Sequence, residues 1–156
     1  MKKFFIDLTG EERKLFHRLN NPYKIQDFLD KISINFEEKG DTLFSPRKVI
    51  LKRKAHCLEG ALFACAVLLF HGYETYLLDL QPGPKDDGHA VALFKQRSKW
   101  GAISKTNHAV LRFRDPVYES PRELVMSYFH EYFLDSGQKT LRTYTCLLYT
   151  SPSPRD

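Results

Sequence analysis

The run His56-Cys57-Leu58-Glu59-Gly60-Ala61-Leu62-Phe63-Ala64-Cys65-Ala66-Val67-Leu68-Leu69-Phe70 decides the fold. Past Glu59 it is apolar on nearly every face, which marks a helix buried in a core rather than one lying on a surface. Gly72 is placed to end it. Gly60, Ala61 and Ala64 are small enough to let other elements pack close.

Upstream the signals are helical. Thr9-Gly10-Glu11-Glu12 is a capping box, with Leu15, Phe16 and Leu19 as the apolar face behind it. Asn21-Pro22 breaks that helix, and Ile25, Phe28, Leu29 and Ile32 give a second one. Glu37 to Thr42 reads as a loop. Ser45-Pro46 opens a third helical segment carrying Val49, Ile50 and Leu51.

Downstream the pattern shortens to strands: Tyr76 to Leu80, His89 to Lys95, Trp100 to Ile103 and Val110 to Phe113. Ser120-Pro121-Arg122-Glu123 starts a helix expected to reach about Leu134, with Gly137 ending it. Lys139 to Tyr144 is a weak last strand. Helices first, a small antiparallel sheet next and then a helix predict an α+β domain, with the central helix packed on the sheet.

The chain has 156 residues, of which 42% are hydrophobic and 28% charged, within the range of one ordinary globular domain. The net charge of +5 is spread out. Its densest cluster, Arg47-Lys48 with Lys52-Arg53-Lys54, lacks interleaved aromatics, which argues against nucleic acid as a partner. No apolar run is long enough to span a bilayer. Asp7 and Glu11-Glu12-Arg13-Lys14 interrupt the apolar start, so no signal peptide is read and a cytoplasmic location is expected. On one helix Cys57 and Cys65 are about 12 Å apart along the axis, too far for a disulfide.

The chemistry centres on Cys57 and His89. A helix N-terminus lowers a thiol pKa and offers unpaired N–H groups to an oxyanion. Cys57 stands where the buried helix begins. His89 opens a strand after the acidic loop Asp86-Asp87-Gly88, where a general base is readily presented.

In order and spacing, four pieces resemble the transglutaminase-like (papain-like cysteine hydrolase) superfamily. They are His56-Cys57-Leu58-Glu59-Gly60-Ala61, Gly72 to Leu80, Asp87-Gly88-His89-Ala90-Val91 and Lys99-Trp100-Gly101-Ala102-Ile103. The resemblance covers roughly Ser45 to Tyr118 and is nearest a poorly characterised bacterial branch. It implies acyl transfer or amide hydrolysis through a thioester on Cys57, with His89 as base and no cofactor. A peptide, protein or small amide would be the substrate, with Trp100 lining the groove.

The third member of the triad departs from the pattern. The resemblance places an orienting Asp about four residues after the Trp, and Ser104 stands there. Asn107 is close by. Asp115-Pro116 matches the family's Asp-Pro pair but lies 26 residues past His89. Asp115 is the expected third member, with Asn107 and Ser104 as alternatives. The missing Asp also leaves open a catalytically silent binding module on the same fold.

Blander readings stand beside these. Cys65, mid-helix, reads as a small core hydrophobe. His56 reads as a helix-start residue, and His108 as a less favoured base. His130-Glu131 lacks the second His of a zinc-protease helix. A metal site from His56, Cys57 and His89 has no tight ligand spacing behind it, so none is expected. Finally, Cys146 to Asp156 agree codon by codon with a translated transposase-type sequencing-library adaptor, so 145–156 are expected to be a non-native tail. The natural domain would then be 1–144, truncated near Tyr144.

Overall fold

The computed structural model describes residues 7–38 and 40–148. Its first half is helical. In α1 (Gly10–Arg18) the Thr9 capping box forms as read, and in α2 (Pro22–Lys31) the Asn21 side chain accepts from Lys24 N. The short strand β1 (Ser33–Ile34) pairs in parallel with β2 (Lys54–Ala55). Between them lies α3 (Pro46–Lys52), capped by Ser45. Then comes α4 (Cys57–Phe70), the helix foreseen from its composition.

The second half builds a five-stranded antiparallel sheet in the order β6-β5-β4-β3-β7. Its strands are β3 (Thr75–Pro82), β4 (His89–Gln96), β5 (Lys99–Ile103), β6 (Arg114–Tyr118) and β7 (Leu141–Leu148). The helix α5 (Pro121–Phe129) lies between β6 and β7 in sequence. Central β4 is apolar on both faces because both faces are covered. Ala90, Ala92 and Phe94 join the core beneath α4, with Phe16, Ile25 and Phe63. Val91 and Leu93 join a second core on the other side, with Leu124 and Tyr128 of α5. The α+β reading therefore holds, as helices, sheet and α5 in three layers.

Three expectations change. The segment at Val110 is a 3-10 turn over Ala109–Leu111 rather than a strand. Leu111 is buried there while Val110 is half-exposed, and pairing to β5 starts only at Arg114. The last helix stops at Phe129, well short of Leu134. Backbone bonds from Thr140 N to Tyr132 O and from Gly137 N to Leu134 O replace it with a folded-back loop, and Gly137, at φ +80°, closes that turn. The weak last strand is a full one: β7 pairs with β3 from Pro82 back to Tyr76. Thr145 to Leu148, assigned above to a non-native tail, are thus part of its backbone ladder. The rest of that tail, 149–156, and residues 1–6 at the start lie outside the described residues. Among the described residues no helix is long and apolar enough to cross a membrane.

Candidate active site at the end of β3 and β4

The first residue of α4 is Cys57, and the preceding residue explains why the helix starts there. His56 has extended backbone, and its Nδ1 accepts from Leu58 N at 3.2 Å. Its other ring nitrogen faces Thr42 O at 3.1 Å. Glu59 reaches back to His56 N at 2.9 Å, completing a capping box. The Glu59 carboxylate is fully buried, yet it also accepts from Phe44 N, Thr42 Oγ1 and Asn35 Nδ2. Burial pushes its pKa up, but these donors outweigh it and hold the group below the usual carboxylate value. His56 and Glu59 thus fasten the start of α4, which fits the helix-start reading of His56.

The half-buried Cys57 thiol approaches the sheet. Burial pushes its pKa up. The N–H groups of Ala90, Leu58 and Cys57 itself pull it down, and the charge of Asp79 pushes it up again. The net result is a raised value, so the thiol is protonated at neutral pH. Asp79 lies on β3 opposite Ala90 and accepts from Gln81 Nε2 at 3.0 Å.

His89 is buried at the start of β4, directly before the Ala90 amide that bears on the sulfur. Its Nε2 lies 2.6 Å from Ser104 Oγ. Burial, and then His108, lower its pKa to about 4, against a smaller opposing effect of Asp79. The imidazole is therefore neutral at pH 7. It lines a cavity of about 220 Å³ with Asp87, His108, Leu111 and Tyr132. Among the described residues no hydrogen bond joins the Cys57 sulfur to the His89 ring. The two residues meet at the same end of the sheet, but they do not touch as an ion pair.

The other candidates separate. Ser104 contacts His89, while Asn107 is exposed in the turn that follows. Asp115 is on β6, two strands from β4, and its exposed carboxylate accepts from Tyr23 at 2.7 Å. Trp100 pairs with Lys95, six positions along β4 from His89, which is about 20 Å at strand rise. It packs against Tyr76 there and does not line this site. Cys65 is fully buried in the core beneath α4, accepting from Thr75 Oγ1 at 3.4 Å.

Two groups escaped the sequence reading. Asp79 is the lone charge in Tyr76-Leu77-Leu78-Asp79-Leu80, a signal that was available. Tyr132 had none. Its hydroxyl donates to Asp87 O, and burial, Asp86 and the Cys57 thiol all raise its pKa, so it too borders the site.

No family model matches this chain, and no curated protein matches it. Among solved structures, a chain described as "Crystal structure of a TGase" is similar at a TM-score of 0.47 and 17% identity. The match covers 85% of this chain but 40% of that one, so the chain spans less than half the length of that structure.

Proposed function

We propose that this chain is a transglutaminase-like domain carrying out cysteine-dependent acyl transfer or amide hydrolysis at Cys57. His89 is the general base and Ser104 the group that orients it. In this reading the Cys57 sulfur adds to an amide carbonyl of a peptide, a protein or a small molecule, and its proton passes to Nδ1 of His89. The Cys57 N–H, next to the Leu58 N–H that is taken by the His56 cap, holds the oxyanion. The C–N bond then breaks, the amine leaves with the proton from His89, and water or a second amine resolves the thioester.

The observation that carries the reading is the 2.6 Å contact between Ser104 and His89 Nε2. Among the described residues it is the one hydrogen bond of the ring, and the residue that follows His89 on β4, Ala90, bears its amide on the Cys57 sulfur. A base held on one nitrogen and free on the other is the arrangement that proton transfer needs.

A second reading, a silent binding module on the same fold, is favoured by the protonation states. With the His89 ring held at about 4 and the Cys57 thiol raised by burial, moving the proton from sulfur to the ring runs uphill. An activated acyl ester separates the two. On the enzyme reading, native protein forms a thioester at Cys57, seen by intact mass, faster than the urea-unfolded chain does. His89→Ala slows this by about a hundredfold. If native Cys57 is acylated no faster than unfolded Cys57, the silent reading stands instead.

A further inference from the structure

We infer that Gln26, on α2, is a positioning residue that sets the orientation of the His89 ring through the backbone of Ser104. The inference rests on the reading of His89 as the base. Ser104 follows the last residue of β5, and the β4–β5 ladder ends at the Ala92–Ile103 pair. Ser104 is fully buried, so its own N–H and C=O need partners that no strand provides. Gln26 supplies both. Its Oε1 accepts from Ser104 N at 3.0 Å, and its Nε2 donates to Ser104 O at 2.8 Å.

One carboxamide thus stands in for a neighbouring strand. Its flip state is fixed as well, because the same Nε2 donates to Asp30 Oδ1 at 2.9 Å. The next residue is anchored to the same helix: Lys105 Nζ donates to Leu29 O and Ile32 O, each at 2.6 Å. With its backbone gripped at both polar atoms, Ser104 retains mainly its χ1 rotation, and its Oγ faces His89 Nε2. The chain of contact runs from α2 through residue 104 to the imidazole. A glutamine 78 residues away in sequence therefore governs which ring nitrogen is held.

The test uses NMR of the ring nitrogens of His89 in the full chain, with Ser104→Ala as the reference for loss of the Ser104 contact. Gln26→Leu, close in size but without polar atoms, is expected to lose the wild-type ring-nitrogen shifts and to reproduce the Ser104→Ala spectrum. The double variant should match Ser104→Ala alone. A folded Gln26→Leu whose His89 nitrogen shifts equal those of wild type overturns the inference, because a merely structural glutamine would lower stability without moving the ring.

If Gln26→Leu does not fold, the wild-type protein still decides the matter. Cross-peaks from the Gln26 side-chain amide to Ser104, with slow exchange of the Ser104 amide proton, support the inference, and their absence overturns it. The ring readout is independent of acylation. An inert Cys57 with a Gln26-dependent ring therefore refutes the enzyme reading alone, while an active Cys57 with a Gln26-independent ring refutes this inference alone.

Discussion

His89 Nε2 and Ser104 Oγ are 2.6 Å apart, and a hydroxyl at that position is a two-way partner. It can accept from Nε2–H or donate to a bare Nε2, so it does not fix which ring nitrogen carries the proton. A carboxylate accepts only. Ser104→Asp should therefore lock the tautomer that leaves Nδ1 bare and raise the ring pKa from about 4 by about one to three units. Acylation of Cys57 should speed up in parallel. Stability should fall, because residue 104 is fully buried and a carboxylate there loses its hydration. Imidazole titration by NMR checks this, and a ring still titrating near its wild-type value would refute the argument.

Acid should unfold the protein through His89. Its folded pKa of about 4 lies below the unfolded value of about 6.5, so between these pH values the unfolded chain binds more protons. The stabilisation is fully present above about pH 6.5 and lost as pH falls through about 4, amounting to about 3 kcal/mol. Urea unfolding at pH 7 and pH 4.5 measures it. In His89→Gln the difference should shrink by most of that amount. An equal pH dependence in the variant would assign the effect to other groups.

Asp79 is the other lever on the site, because its charge raises the Cys57 pKa and opposes the lowering of His89. Asp79→Asn should shift the pH profile of iodoacetamide alkylation at Cys57 toward lower pH. The shift should be less than about one unit, since Asp79 is only half-buried and water screens it. In the wild-type protein alkylation at pH 7 should be slower than that of an exposed thiol. A profile that moves the opposite way would mean that Asp79 acts by hydrogen bonding rather than by charge.

Local signals carried the fold furthest. Thr9, Ser45 and Ser120 cap helices where the sequence announces them, because a cap depends on neighbours three residues away. Cys57 and His89 were legible for the same reason: one opens a helix and the other a strand. Trp100 was misjudged because register, which is non-local, decides how far along β4 a β5 residue lies. Asp115, the expected third member, lies away from His89, and chemistry explains why it was preferred. Spacing pointed to Ser104, but the expectation of a carboxylate favoured Asp115, which faces Tyr23 instead. Gln26 and Tyr132 reach the site only through tertiary packing and left no mark on the sequence nearby.

Gly60 tests how tightly the site is framed. In the interior of α4, Gly60→Ala should gain about 1 kcal/mol of helix propensity. The packing opposes this. A Cβ at position 60 would lie 2.4 Å from Lys105 Cβ, an atom fixed to its backbone and unable to swing aside. Either α4 or the segment that follows β5 must move. Such overpacking costs about 1–3 kcal/mol, enough to outweigh the propensity gain at the upper end of that range. The expected result is a melting temperature lower by up to roughly 5 °C, together with altered His89 ring signals, because Lys105 adjoins Ser104. A variant that melts higher, with the ring unchanged, would show that α4 and the 104–105 segment have slack between them, and that the contact between Ser104 and His89 is set without help from α4.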